Sequence, residues 1–138
     1  MSGPFVLDAS LAVSWCFRDE ITPLGAHVLA KLETVHAIAP AVLAFELANG
    51  LTLAQRRRRI TLAEQQECLE KLRQLPIALE QRPLFWLCER IIPLAHKFRL
   101  TAYDAAYLEL AIREALPLAT LDGDLRQAAL QAGIPLVA

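Results

Sequence analysis

Four carboxylates in this chain stand where their charge is costly and their spacing is useful: Asp8, Glu46, Asp104 and Asp122. Asp8 closes the apolar run Phe5-Val6-Leu7, and Asp122 closes Leu118-Ala119-Thr120-Leu121. Glu46 sits within Val42-Leu43-Ala44-Phe45-Glu46-Leu47-Ala48, and Asp104 within Tyr103-Asp104-Ala105-Ala106-Tyr107. An ionised acid among such neighbours needs compensation, and a divalent cation is one source of it. Two carboxylates about 5 Å apart repel by about 3 kcal/mol at an effective dielectric near 20. Acids gathered in one crevice therefore protonate or separate unless a cation fills the gap. An all-oxygen donor set suits Mg²⁺, with Mn²⁺ as a substitute, whereas Zn²⁺ recruits His or Cys. Such a cation neutralises a phosphate and lowers the pKa of a water, so phosphodiester hydrolysis is the chemistry these residues point to.

Each acid also has an ordinary role open to it. Asp8 or Ser10 can cap a first helix, and Asp122 or Asp124 a last one. Asp104 falls at the third helical position if Thr101 is the N-cap, and Glu46 can lie at the solvent margin of its helix. A cap uses only one carboxylate oxygen, so capping and cation binding are compatible. Asn49, three residues after Glu46, shares its helix face and can hydrogen-bond its carboxylate.

The elements that must position these residues alternate in type. Residues 5–8, 35–39, 77–80, 118–121 and 135–137 read as short strands, the first as a continuous apolar run suited to a parallel sheet covered on both faces. Between them the spacing predicts helices over 11–17, from Thr22 or Pro23 through Leu32, 42–57, from Thr61 to Pro76, 84–99, from Thr101 to about 115, and 125–131. Thr61-Leu62-Ala63-Glu64 is a capping-box pattern, and Pro93 is expected to kink or interrupt its helix. Strands alternating with helices imply a three-layer α/β/α domain over residues 1–138, built on a mostly parallel sheet of about five strands. In open sheets of this kind ligands bind beyond the carboxyl ends of the strands, where Asp8 and Asp122 lie.

Composition narrows the function classes. The chain has 138 residues, 55% of them apolar, and a net charge of −1, which argues against coating nucleic acid by bulk attraction. No run approaches the roughly 20 apolar residues of a membrane span, and no signal peptide is expected. Cys16, Cys68 and Cys88 follow no metal or redox spacing, and read as buried free thiols of a cytoplasmic protein. Arg56-Arg57-Arg58-Arg59 is a local basic block that as a charge run reads first as a solvated helix end, and second as a grip for RNA phosphates or an acidic partner segment. Trp15, if exposed beside Asp8, could touch the same ligands. His27, His36 and His96 are not spaced as ligands.

Four segments in order, Phe5-Val6-Leu7-Asp8-Ala9-Ser10, Glu46-Leu47-Ala48-Asn49, Leu100 through Ala111 around Asp104, and Leu118-Ala119-Thr120-Leu121-Asp122, resemble the PIN-domain ribonucleases, most closely the VapC-type toxins of toxin–antitoxin pairs. The resemblance spans nearly the whole chain. It implies that Asp8, Glu46, Asp104 and Asp122 are the acidic metal-binding positions, with Ser10, Asn49 and Thr120 supporting them. It further implies a PIN-like sheet, Mg²⁺- or Mn²⁺-dependent cleavage of RNA to 5′-phosphate and 3′-hydroxyl ends, a small antitoxin that blocks the site, and a homodimer. Its Thr-x-Asp pattern selects Asp122, leaving Asp124 as a supplementary ligand or, preferably, a helix cap. Two other readings stand beside this one. A catalytically silent PIN-like binding module needs no such acids. An aspartyl-phosphate phosphatase would want Asp-x-Asp where this chain has Asp8-Ala9-Ser10.

Overall fold

The computed structural model describes residues 3–138. Strand β1 (Phe5–Leu7) has all three side chains buried. Successive strand side chains point to opposite faces, so both faces of the sheet are covered here. β1 pairs in parallel with β2 (Ala37–Pro40) on one side and with β4 (Leu118–Ala119) on the other, and β3 (Ile77–Glu80) extends the sheet beyond β2. The order is β3-β2-β1-β4. The chain steps outward from β1 to β3 and then crosses back to the far side of β1. That reversal opens a crevice at the carboxyl ends of β1 and β4, the position where such sheets bind ligands.

The sheet has four strands rather than about five. Residues 135–137 contribute an isolated parallel bridge, Leu118 to Leu136. Pro135 has no N–H with which to lengthen that ladder. β4 is shorter than residues 118–121 because the chain leaves the ladder at Thr120, whose side chain is spent on the crevice.

Helix α1 (Ala9–Ser14) starts directly after Asp8, two residues earlier than the apolar pattern implies. Thr22 caps α2 (Pro23–Lys31), with Pro23 in its first turn. α3 (Val42–Arg56) packs against α1 at Gly50, where any Cβ would meet Val13 Cγ2 at 3.1 Å. Thr61 and Glu64 form the reciprocal capping box of α4 (Leu62–Arg73). α5 (Leu84–Phe98) runs through Pro93 without interruption, so of the expected kink or break the break does not occur. Pro93 and Glu89, whose carbonyl loses its partner, are both exposed, which leaves that carbonyl open to solvent and the cost of the missing bond small. α6 (Ala102–Glu114) is the central helix, buried from Ala105 through Ala111, and α7 (Gly123–Gln131) follows β4.

A second correction concerns the thiols. Cys16, just past α1, and Cys68, in α4, form a disulfide with Cα atoms 5.6 Å apart, and only Cys88 is free. Their separation of 52 residues carries no sequence signature. They meet beside a small core of Phe17, Leu51, Ala54 and Ile60 in which α3 takes part.

Buried charge in this fold is paired. Glu109, 2% exposed, accepts hydrogen bonds from Arg90 and Arg113, and Arg113 also reaches Glu80. Burial alone would raise the Glu109 pKa, but the two guanidiniums overcome it and hold the carboxyl below its ordinary range. Among the described residues no helix is long and apolar enough to cross a membrane.

Candidate active site

Asp8 ends β1 and caps α1, and it is 4% exposed. Three donors converge on its Oδ2: the Ser10 hydroxyl at 2.6 Å, the Thr120 hydroxyl at 2.7 Å and the Ser10 amide at 3.4 Å. Ser10 accepts from the Leu121 amide, and Thr120 from the Asp122 amide. Two hydroxyls thus bolt the ends of β1 and β4 together through one carboxylate oxygen. Among the described residues no such bond falls on Oδ1.

The same division of labour recurs at two of the other acids. Asp122 caps α7, its Oδ2 accepting from the Leu125 amide at 2.9 Å. Glu46, in the second turn of α3, accepts on Oε1 from the Tyr107 hydroxyl at 2.6 Å. In each case the second oxygen carries no protein hydrogen bond among the described residues. Asp104 is freer still. Thr101 caps α6 through the Asp104 amide, but the Asp104 carboxylate does not fold back to close the box as Glu64 does on α4.

The four acids feel one another. Burial first, then the charges of Asp122, Asp8, Glu46 and Asp124, push Asp104 up from 3.8 to about 6. Glu46 is raised by burial and by Asp8 and Asp122, against the opposing bond from Tyr107. None of the four forms an ion pair with Lys, Arg or His among the described residues. The nearby Arg126 guanidinium is drawn instead to the Thr120 carbonyl at 2.8 Å. A chain that supplies two arginines to Glu109 supplies none to these acids.

That donor set fits a hard divalent cation. It is all oxygen, it has three positioned carboxylates with an uncommitted atom each, and its mutual repulsion has no internal compensation. Among the described residues no three acids draw close enough to form a finished cage. A cation that keeps several waters, as Mg²⁺ does, needs no such cage. Beside Ser10 and Glu46 a cleft of about 650 Å³ runs between α1 and α3, lined also by Val13, Asn49, Gly50 and Leu121.

The other expected residues divide. Ser10 and Thr120 hold Asp8, though Asn49 is exposed and makes no bond to Glu46; Tyr107 does. Tyr107 lies one turn beyond Asp104 on α6 and shares its face, a spacing that marks it as near the site without naming Glu46 as its partner. Asp122, not Asp124, is the cap of α7; Asp124 lies in the first turn and acts on Asp104 only through its charge. Trp15 is half-buried, with its indole N–H donated to the Gly25 carbonyl at 3.0 Å, so it is a strut between α1 and α2. Arg59 is held by Asp19 and Glu20 and lies over the Phe17 ring at 4.3 Å, while Arg56, Arg57 and Arg58 are exposed at the end of α3.

A parallel α/β sheet with an acidic crevice at its topological switch point defines an α/β protein with the donors for a cation-dependent phosphoryl chemistry. More narrowly, the chain belongs to the PIN-domain family, whose model matches residues 5–130; PIN domains are typically metal-dependent nucleases. No curated protein matches the chain at a significant level. Among solved structures it is similar to PAE2754 from Pyrobaculum aerophilum, with 24% identity, a TM-score of 0.67, and coverage of 93% of this chain and 87% of that one. It is also similar to FitAcB from Neisseria gonorrhoeae, with 19% identity, a TM-score of 0.64, and coverage of 97% and 96%. At these identities the likeness is one of fold.

Proposed function

We infer that this chain is a divalent-cation-dependent endoribonuclease, the toxin of a VapC-type toxin–antitoxin pair, acting in the cytoplasm as a single PIN-like domain over residues 1–138. The observation that carries the reading is the state of the acids. Among the described residues, Asp8, Glu46 and Asp122 each commit one oxygen to positioning and leave the other without a protein hydrogen bond, and no cationic side chain answers them or Asp104.

When bound, Mg²⁺ or Mn²⁺ supplies charge neutralisation for the scissile phosphate and a water of lowered pKa. The chain's own part is to hold the donors still. Ser10 and Thr120 fix Asp8 at the sheet, the α7 amide fixes Asp122, and α6 carries Asp104 with its side chain unconstrained by the cap. Preorganised ligands of this kind cost no reorganisation when charge develops. The cleft between α1 and α3 offers room for a nucleotide flanking the cut.

Exposed apolar side chains support the partners in this reading. Phe45, 74% exposed and next to Glu46, suits a small antitoxin that covers the site, and Leu84, Phe85 and Ile92 along α5 suit a second copy of the chain. In a reducing cytoplasm Cys16 and Cys68 are expected as thiols, closing to the disulfide on oxidation.

One finding favours the silent binding module: the acids do not by themselves converge into a cage. Both readings meet one experiment. Total RNA is incubated with the protein in Mg²⁺, Mn²⁺ or EDTA, and the new 5′ ends are mapped. Wild type is expected to cut only with a divalent cation, and Asp8→Asn not at all. A folded Asp8→Asn protein that cuts as well as wild type sinks the assignment, and absence of any cut in either cation favours the silent module.

A further inference from the structure

We propose that Tyr107 is a positioning residue for the cation site, selecting which oxygen of Glu46 faces the crevice; the inference rests on the cation-binding reading above. Tyr107 is fully buried on α6, yet its hydroxyl crosses to α3 and donates to Glu46 Oε1 at 2.6 Å, across 61 residues of sequence. A buried tyrosine must satisfy its hydroxyl, and a backbone carbonyl would serve for that purpose alone. Here the partner is a carboxylate with no cationic neighbour, and a charge-assisted bond of this length is directional as well as strong.

The geometry assigns it a second consequence. Glu46 sits on a helix whose side chain has three free torsions, and Asn49, its expected neighbour on α3, does not hold it. Tyr107 supplies the fixed point that α3 lacks. With Oε1 engaged by the ring hydroxyl, Oε2 is the oxygen with no protein bond among the described residues and the readier donor to a cation or its water. The pattern matches Asp8, where Ser10 and Thr120 commit Oδ2 and leave Oδ1. Tyr107 and Asp104 stand one turn apart on α6, so the same helix carries one donor directly and orients another on α3. Tyr107 touches neither substrate nor cation; it acts through Glu46.

The test is a double-mutant cycle on Mn²⁺ affinity, read by calorimetry rather than by turnover, with wild type, Tyr107→Phe, Glu46→Gln and the double variant. Tyr107→Phe removes one hydroxyl and keeps the ring, and near-UV dichroism checks that the core is intact. It is expected to weaken Mn²⁺ binding about three- to tenfold in the wild-type background, and less than about twofold once Glu46 is Gln. Glu46→Asp keeps the charge but shortens the reach to Tyr107. It is expected to weaken Mn²⁺ binding too, and to become insensitive to Tyr107→Phe, which keeps the proposal testable if one variant is unstable. Unchanged Mn²⁺ affinity in a folded Tyr107→Phe overturns the proposal alone. An equal loss in both backgrounds overturns it as well, because the tyrosine would then act through general packing. A wild-type protein that binds no Mn²⁺ overturns the cation reading and this inference together.

Discussion

Replacing Asp104 by Asn should make the cation-free protein more stable while removing its response to cation. The carboxyl is raised from 3.8 to about 6 by burial and by the charges of Asp122, Asp8, Glu46 and Asp124. The folded state therefore holds this proton more tightly than the unfolded chain. Unfolding free energy falls as pH rises between about 4 and 6, and above about 6 the full penalty is present. At about 1.36 kcal/mol per pH unit the penalty is about 3 kcal/mol. The side chain is partly exposed, and solvent screening reduces this to roughly 1–1.5 kcal/mol. In EDTA at pH 7, Asp104→Asn is thus expected to raise the urea-derived stability by about 1 kcal/mol, or Tm by about 3–5 °C. The gain should shrink as pH falls from 6 toward 4 and vanish by about pH 3, where Asp104 is protonated in both states. Mn²⁺ should then stabilise wild type strongly and the variant weakly. If Asp104→Asn is no more stable than wild type in EDTA at pH 7, the acids do not share a field and the reasoning fails.

Other consequences are as specific. Thr120→Val keeps the buried volume but strips a hydroxyl from Asp8 Oδ2 and an acceptor from the Asp122 amide; it should cost about 1–3 kcal/mol in urea titration and slow RNA cleavage. Glu109→Ala leaves Arg113, 13% exposed, without its most buried acid partner, and should cost about 3–5 kcal/mol by the same measurement. Because the Glu109 carboxyl is held below its ordinary value, its contribution is present above about pH 4.5 and lost as pH falls through the folded value, opposite in sign to Asp104. Thiol titration of the denatured, oxidised protein should find one thiol, Cys88, and three after reduction; a chain-entropy estimate for the 52-residue separation puts the reduction cost at about 4 kcal/mol.

Much of this arrangement was legible in the residues because it rests on short-range rules. Asp8 and Asp122 could be placed at strand ends from the apolar runs before them, and Thr61, Thr101 and Pro23 from capping chemistry. The parallel order follows from strands alternating with helices. What escaped were facts of long-range pairing. Tyr107 on Glu46 and Cys16 on Cys68 join segments 61 and 52 residues apart, and no local pattern encodes either. Asn49 is nearer to Glu46 in sequence, but a helix neighbour can point to solvent while a buried hydroxyl on another helix cannot. Pro93 leaves α5 unbroken for a related reason. Its cost depends on whether water reaches the orphaned carbonyl, which is a property of the packed surface rather than of the sequence.

The most direct test of the central claim, that four separate acids make one cation site, is anomalous diffraction from crystals of the wild-type protein grown with Mn²⁺. The expected result is a peak in the crevice beyond β1 and β4, ligated directly or through water by Asp8 and Asp104, with the Oε1 of Glu46 still on Tyr107. A peak elsewhere, or none at millimolar Mn²⁺ with the crevice open, would contradict it.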